Sequence, residues 1–332
     1  MRFDMRAAKR VLPAVVAVGL VVGAALWGQR RHPDPDPNAV LARAQRSVQK
    51  ASYTALVESV VACAGTKLQS RGVLRVGPGG RRRIVYTHGD LKGAMSGCDR
   101  QTAWRYDPRK HQLVVHPHVC DGHSEVLTPA NHRTRLEGDA KVAGRPTYVI
   151  SLSGYGERRL RRRYWIDKET FIPLRTDEYG PTGRLVSRTT FLSLWLAPSK
   201  PEVFAPPQMP GARVVGETAN PTRCASLEEL SRRVRYEVVL PKYVPKGMGV
   251  TGYYYHSCPC CKRAAPVVRY SDGASSFTVY QCAPGCGNAL DGEEKVFWSG
   301  RMAAVTTRHG HYTIVGDIPE EELRKVAASL AR

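Results

Sequence analysis

The sequence contains none of the short motifs by which several large enzyme classes are recognised. It has no Gly-x-Ser-x-Gly, the turn that exposes a serine nucleophile, and no His-Glu-x-x-His, the helical motif that binds a catalytic zinc ion. It also has no glycine-rich loop of the kind that cradles a nucleotide phosphate. Carboxylates, which often serve as general acids and bases, are few and scattered. We therefore expect a binding protein and not an enzyme, with no cofactor.

Acidic residues are scarce relative to basic ones, with 29 Asp and Glu against 50 Lys and Arg and a net charge of +21. Arginine clusters within residues 81–83, 158–163 and 232–235 carry much of this charge. A surface of this kind attracts polyanions, which include nucleic acids, anionic lipid headgroups and acidic proteins. Runs of charge are equally typical of a solvated face that binds nothing.

The N-terminus indicates the compartment. Four basic residues within residues 2–10 precede an uncharged apolar run over residues 11–27. This run is near the lower limit of about 17–25 residues for a membrane-spanning helix, and it is long for a signal-peptide core of about 7–15. A cleaved signal is the alternative, but the length favours a retained anchor. Only two basic residues, Arg30 and Arg31, follow the run. We therefore expect a single-pass protein of the cytoplasmic membrane, with its N-terminus in the cytoplasm and the bulk of the chain on the periplasmic side. This placement argues against a nucleic-acid partner.

The nine cysteines fit that location, because disulfides persist in oxidising compartments. Their odd number requires at least one to be free, metal-bound or paired with another chain. The densest set is Cys258, Cys260 and Cys261, followed by Cys282 and Cys286. Disulfides between the two groups, a zinc or copper site, and thiol redox chemistry all fit this spacing. We treat these five residues as disulfide or metal candidates, with no metal assigned.

A histidine-rich tract is a second, weaker metal candidate. If residues 116–120 are extended, His116, His118 and Cys120 share one face of the strand. The same composition is typical of a polar loop beside a strand, and we expect residues 116–135 to be less regular than their neighbours.

Composition divides the chain into segments. Asn38 is suited to cap a helix, and many short strands separated by turn residues follow it, which predicts one large antiparallel sheet or open barrel. Prolines crowd a later stretch that reads as a linker. Two helices then flank a few strands, one opened by a capping box from Ser226 to Glu229 and one beginning at Pro319. The expected segments are a signal anchor (1–31), a first domain (32–196), a linker (197–222) and a smaller α+β domain (223–332).

Two groups of short blocks resemble known families. Residues 104–108 (Trp-Arg-Tyr-Asp-Pro), 144–146 (Gly-Arg-Pro) and 163–175, which begin Arg-Tyr-Trp-Ile-Asp, are similar to the LolA-like superfamily. Residues 240–247, 269–279 and 314–319 are similar to the C-terminal domain of the MucB/RseB family of periplasmic sigma-factor regulators. The blocks occur in the family's order, so the resemblance covers roughly residues 38–330.

The resemblance implies an α+β protein with a LolA-like antiparallel half-barrel, helices in its concave side, a smaller α+β domain, and here an N-terminal transmembrane helix. It also implies a function: such proteins bind the outer part of a membrane-spanning anti-sigma factor, shield it from proteolysis, and respond to envelope or lipid stress through lipid-like ligands in the half-barrel. The anchor and the cysteine-rich insertion depart from the family pattern and leave the partner open.

A half-barrel with an apolar concave side can enclose a ligand. Five aromatic residues on the predicted strands are candidates to line such a groove, although aromatic residues are also common in plain core. These candidates are Trp104, Tyr106, Tyr164, Trp165 and Phe171.

Two other functions compete with the sigma-factor regulator. One is a LolA-like carrier of lipid or lipoprotein, although such carriers lack the second domain and a tether would prevent shuttling. The other is an extracytoplasmic metal or redox sensor built on the cysteine cluster.

Overall fold

The structure is a computed structural model that describes residues 34–63, 66–117, 127–154, 160–180, 182–216, 221–258, 261–286, 295–297 and 300–331. Residues Pro37–Arg332 form one compact unit, which is described below. In the described ranges no helix is both long and apolar enough to cross a membrane. The predicted anchor at residues 11–27 lies outside these ranges.

Twelve strands form the first sheet, in the order β12-β6-β5-β4-β3-β2-β1-β11-β10-β9-β8-β7. All neighbouring strands are antiparallel except β12 and β6, which are parallel. The end strands β12 and β7 do not pair with each other in the described part of the chain, so this sheet is open and the predicted large antiparallel sheet is confirmed. The strands are β1 (Tyr53–Cys63), β2 (Thr66–Gly77), β3 (Arg81–Gly89), β4 (Met95–Cys98), β5 (Thr102–Asp107), β6 (Gln112–Pro117), β7 (His132–Val142), β8 (Arg145–Gly154), β9 (Leu160–Asp167), β10 (Pro173–Tyr179), β11 (Leu185–Trp195) and β12 (Arg213–Gly216).

One helix packs on this sheet. Helix α1 (Pro37–Lys50) begins one residue before the predicted cap. Its buried residues Val40, Leu41 and Ala44 recur at helical spacing and pack against Ile150 and Ile166 of β8 and β9. A short helix, α2 (Leu127–Asn131), precedes β7. Among the described residues of the first domain, the helices are thus α1, which packs on the sheet, and the short α2.

Strand β7 corrects the expectation of an irregular stretch reaching residue 135. The strand starts at His132, which is buried, and runs to Val142. It is the last strand of the sheet, and most of its side chains are partly or fully exposed. Its sequence therefore lacks the alternation of apolar residues by which strands are recognised.

The proline-rich segment at residues 197–222 is more than a connection between domains. A 3₁₀ turn at Pro201–Phe204 buries Phe204 completely, and the Trp104 indole donates a hydrogen bond of 2.8 Å to the Phe204 carbonyl. Strand β12 (Arg213–Gly216) then pairs with β6. The first domain thus extends into the predicted linker, because a buried aromatic residue and a parallel strand pairing are long-range features that composition does not show.

The second sheet has seven strands in the order β13-β14-β15-β16-β19-β18-β17, with antiparallel neighbours. Helix α4 covers it with Leu323, Val326, Ala327 and Leu330, the face that the sequence predicted. The elements are β13 (Thr222–Cys224), α3 (Leu227–Arg233), β14 (Gly249–Ser257), β15 (Ala264–Ser271), β16 (Ser276–Cys282), β17 (Lys295–Phe297), β18 (Gly300–Thr307), β19 (Gly310–Gly316) and α4 (Glu320–Leu330).

The capping box that begins helix α3 is confirmed. The Ser226 hydroxyl accepts a hydrogen bond of 3.2 Å from the Glu229 backbone N–H. The Glu229 carboxylate in turn accepts one of 2.8 Å from the Ala225 backbone N–H. The two side chains satisfy backbone donors that the helix itself leaves without partners.

Candidate functional site

The hairpin of β15 and β16 has a notable group of residues at each end. At one end, the pairing of Ser271 with Ser276 closes a loop of residues 272–275, here called the interdomain loop. At the other end, three cysteine sulfurs lie within 4.8 Å of one another. These are Cys258, Cys282 and Cys286, here called the thiol cluster.

The interdomain loop is held in one conformation by its own polar groups. Asp272 accepts hydrogen bonds from the backbone N–H groups of Ala274 and Ser275, at 2.9 and 2.7 Å. The Ser271 hydroxyl accepts one of 3.0 Å from the Gly273 N–H. Gly273 has φ = +93°, a conformation that favours glycine. The loop therefore presents Asp272 and Ala274 in a fixed geometry.

The loop inserts against the first domain. The Nε2 atom of His132 lies 3.3 Å from the Asp272 carboxylate, and both side chains are almost fully buried. The Thr128 hydroxyl donates a hydrogen bond of 3.0 Å to the Gly273 carbonyl, and the Asn131 amide donates one of 3.2 Å to the Asp272 carbonyl. Ala274 completes the apolar cluster beneath α1. Polar and apolar contacts together thus join the two sheets.

Arg162 of β9 is the central cation of this junction. Its side chain is only 9% exposed, and its Nη2 atom lies 2.7 Å from Asp317 and 2.8 Å from Glu178. Its Nη1 atom donates a hydrogen bond to the Ala274 carbonyl. Burial lowers the pKa of the Arg162 guanidinium, but Glu178, Tyr164 and Asp317 outweigh burial and raise this pKa well above its usual value. Arg162 is therefore a charged group that is buried between the domains, and a carboxylate from each domain balances its charge.

Asp272 is the matching anion. Burial raises the pKa of its carboxyl, but the nearby His132 and the N–H groups of Ser275 and Ala274 outweigh burial and hold this pKa below its usual value. Arg161 donates a further bond of 3.4 Å to the same carboxylate. The sequence left the arginines of residues 158–163 open between a polyanion-binding surface and a solvated face, yet Arg161 and Arg162 point into the junction. Their partners in the second domain are more than 100 residues away, which no local pattern reveals.

The blocks that carried the resemblance contact each other. Arg145, from the block at residues 144–146, forms a two-point ion pair with Asp167, from the block at residues 163–175. Asp167 is fully buried and also accepts backbone hydrogen bonds from Glu169 and Thr170, at 3.0 and 2.8 Å. This turn presents Phe171, with φ = +59°, to helix α1, where the Arg43 guanidinium lies 3.7 Å from the ring centre.

In the thiol cluster, the Cys258 sulfur lies 3.6 Å from the Cys286 sulfur and 3.9 Å from the Cys282 sulfur. Burial and the neighbouring thiols Cys258, Cys286 and Cys261 raise the pKa of the Cys282 thiol. Cys260 lies outside the described residues. The structure brings the two cysteine groups together through the loops that follow β14 and β16. Strands β14 and β16 are not neighbours, because β15 lies between them, and the loops after both strands meet beyond the start of β15.

Part of the sequence is similar to a known protein family. The family model described as the MucB/RseB N-terminal domain matches residues 112–209. The sigma factor AlgU regulatory protein MucB of Pseudomonas aeruginosa strain PAO1 is 25% identical over 148 residues, which are 44% of this chain and 42% of that protein. Residues 112–209 are thus similar to the N-terminal domain of the MucB/RseB family. The sequence match spans less than half the length of this curated relative.

Solved structures extend the likeness in fold to most of the chain. A crystal structure of MucB matches with a TM-score of 0.55 and 19% identity, covering 89% of this chain and 97% of that one. MucB in the complex structure of Pseudomonas aeruginosa MucA/MucB matches with a TM-score of 0.52 and 18% identity, covering 88% and 97%. At these identities the likeness shows the fold.

The five groove candidates fall into three separate clusters. Trp104 and Tyr106 pack with Leu113 and Val115 on β5 and β6. Trp165 packs with residues of β1 and β10, under the Arg175 guanidinium at 4.0 Å. Tyr164 and Phe171 lie in the cluster beneath α1. Adjacent strand residues such as Tyr164 and Trp165 point to opposite faces, so the five do not line one surface. That some of them contact a ligand stays a prediction.

Two further described cysteines lie in other parts of the fold. Cys98 and Cys224 are buried in the first and second sheets, respectively. The tract at residues 116–123 lies largely outside the described residues, so its metal site stays a prediction. The thiol cluster also lies outside the residues matched by the MucB/RseB family model.

Proposed function

We propose that this protein is an extracytoplasmic regulator that binds the outer part of an anti-sigma factor and thereby controls a sigma factor. The observation that carries the proposal is the two-domain fold, which is shared over 88% of this chain with MucB in the MucA/MucB complex structure. The curated relative supports it, because its name is that of a regulatory protein of the sigma factor AlgU. The absence of the common catalytic motifs from the sequence is consistent with binding as the whole activity.

The junction supports a binding role by fixing the two domains as one surface. Because Arg162 and Asp272 are buried and bonded from both sides, separation of the domains would leave charges without partners. A partner that contacts both domains would therefore meet a preorganised surface and lose less free energy to ordering.

The exposed apolar residues at the end of β11 are our candidates for the contact. Leu192, Trp195 and Leu196 are 39%, 55% and 60% exposed. Exposed aromatic residues in an apolar patch are typical of protein-binding surfaces. The net charge of +21 suits an acidic partner segment.

Two finer elements belong to the same proposal. We propose that residues 11–27 anchor the protein in the cytoplasmic membrane with a single pass, which the preceding basic residues support. We also propose that the protein responds to envelope or lipid stress when a lipid-like ligand changes its affinity for the anti-sigma factor. Both elements rest on the sequence and on the family resemblance.

The test uses the full chain in detergent micelles and the outer segment of the single-span anti-sigma factor from the same bacterium. Calorimetry should show a complex with one copy of each chain. Trp195→Ala should weaken binding about tenfold, as expected for an interface aromatic residue. Val250→Ala is the control, since Val250 is also exposed, at 38%, but lies in the second domain away from the patch.

Two outcomes would count against the proposal. If no single-span anti-sigma factor of that bacterium binds the chain, the proposed regulatory function is wrong. Equal weakening by Trp195→Ala and Val250→Ala would remove the assignment of the surface. Copurified lipid without any protein partner would move the interpretation to the carrier function.

A further inference from the structure

The thiol cluster has the dimensions of a tetrahedral metal site. In a site with four sulfur ligands and metal–sulfur distances of about 2.3 Å, neighbouring sulfurs are about 3.8 Å apart. The two distances from the Cys258 sulfur, 3.6 and 3.9 Å, bracket this value. The three sulfurs lie within 4.8 Å of one another, so a single ion can contact all of them.

The backbone supplies two tight turns that point these thiols at one position. The first follows β14, where the Lys262 N–H donates a hydrogen bond of 2.9 Å to the Cys258 carbonyl and the Cys258 N–H donates one of 2.8 Å to the Arg263 carbonyl. The second follows β16, where the Cys286 N–H donates one of 3.1 Å to the Ala283 carbonyl and Gly285 has φ = +72°. Each turn thus holds its cysteine in place before any ion binds.

Cys261 is the candidate for the fourth ligand, from outside the three sulfurs that lie within 4.8 Å of one another. It lies in the first turn, three residues after Cys258, the Cys-x-x-Cys spacing found in many zinc sites. It is partly exposed, whereas Cys258 is fully buried, so the site would have one side near solvent.

We propose that Cys258, Cys261, Cys282 and Cys286 bind one Zn²⁺ ion in a closed, structural site. A disulfide uses two thiols and would leave the other two crowded against it, whereas a tetrahedral ion uses all four. Zinc prefers this geometry and this ligand set, and a site with four protein ligands has no open position for catalysis. Lys262 and Arg263 follow Cys261 directly and place positive charge beside a site with a net charge of −2.

The site would join the end of β14 to the end of β16 across β15. It is independent of the proposed binding of an anti-sigma factor, so each can fail without the other.

The test begins with the full chain, purified without chelators, and elemental analysis by mass spectrometry. We expect about one zinc ion per chain, as for a site with four thiolate ligands. Cys282→Ser and Cys286→Ser should each lose most of this zinc. Cys98→Ser is the control, because Cys98 belongs to the first sheet and is more buried than Cys282 and Cys286, and it should keep the full amount.

Cobalt provides a second readout. Co²⁺ added to the metal-free, reduced chain should give the visible bands of tetrahedral cobalt and a thiolate charge-transfer band, and Zn²⁺ should remove both. If Cys282→Ser does not fold, Cys261→Ser replaces it, since Cys261 is more exposed. Folded chain without zinc, a disulfide from Cys258 to Cys282 or Cys286 in protein isolated from cells, or copper in place of zinc would each overturn the proposal.

Discussion

The two ends of the β15–β16 hairpin differ in the contacts that hold them: one end contacts the other domain, and the other end, among the described residues, contacts only its own domain. At one end, the interdomain loop places Asp272 and Ala274 against residues that are more than 100 positions away in the sequence. At the other end, the thiol cluster is made of residues that lie within 28 positions of one another. The first end depends on the other domain, whereas the second depends only on its own sheet. Damage at the loop should therefore affect both domains, and damage at the thiols only one.

The largest expected effect is that of Arg162→Ala. This change leaves Asp317 and Glu178 without their shared cation, and breaking a buried ion pair costs about 3–5 kcal/mol. Chemical unfolding should also separate into two transitions, since the domains lose their link. Arg163→Ala is the control, because Arg163 pairs with Glu137 at a half-exposed site, and its cost should stay below about 1 kcal/mol. Equal losses of unfolding free energy in Arg162→Ala and Arg163→Ala would contradict the claim that the buried junction joins the two domains.

Removal of zinc should have the next largest effect, confined to the thiol end. At free zinc about 100-fold above the dissociation constant, bound zinc stabilises the folded state by about 2.7 kcal/mol. A chelator should therefore speed hydrogen exchange in β14 and β16 near the thiol cluster. The amides of the interdomain loop should stay protected. Faster exchange at the loop as well would show that the two ends are coupled.

Asp272→Asn should cost about 2 kcal/mol at neutral pH, since hydrogen bonds to a charged group contribute roughly 1.5–3 kcal/mol. The folded-state pKa of Asp272 lies below its ordinary value, so the stabilisation is complete above the unfolded pKa of about 3.9 and is lost as the pH falls through the folded value. The stability difference between wild type and variant should shrink below pH of about 4. A stability difference that grows as the pH falls would show that the pKa of Asp272 is raised on folding and not lowered.

The smallest effect is expected for Gly273→Ala. Gly273 has φ = +93°, and a left-handed conformation costs roughly 1–2 kcal/mol for a residue with a side chain. Gly249→Ala is the control in the same domain, because an added Cβ there meets open space and φ is not in the positive range. Thermal unfolding of both variants separates backbone strain in the loop from a general effect of alanine.

Local features of the fold were predictable from the sequence. The capping box at Ser226 and the buried face of α4 each depend on residues within one or two turns of each other. The thiol cluster was predictable in part, because cysteines at short spacing usually form disulfides, bind a metal ion or carry out redox chemistry. Its three-dimensional arrangement was not, since the position of β15 between β14 and β16 is a matter of topology.

The junction could not be predicted. Arg162 lies among six residues that include five arginines, and nothing in that run distinguishes a buried arginine from a solvated one. Phe204 likewise sits in a proline-rich stretch typical of a linker, yet the structure buries it against Trp104. Burial of these residues is decided by partners that are far away in the chain, and the sequence pattern around them carries only local information.

The most direct test of the proposed function is the rate at which a periplasmic protease cleaves the outer segment of the anti-sigma factor. With the full chain present in excess, we expect cleavage to slow at least tenfold, because a bound segment is cleaved only after it dissociates or opens locally. The same excess of chain should not slow cleavage of an unrelated unfolded substrate. An unchanged cleavage rate with saturating chain would contradict the account.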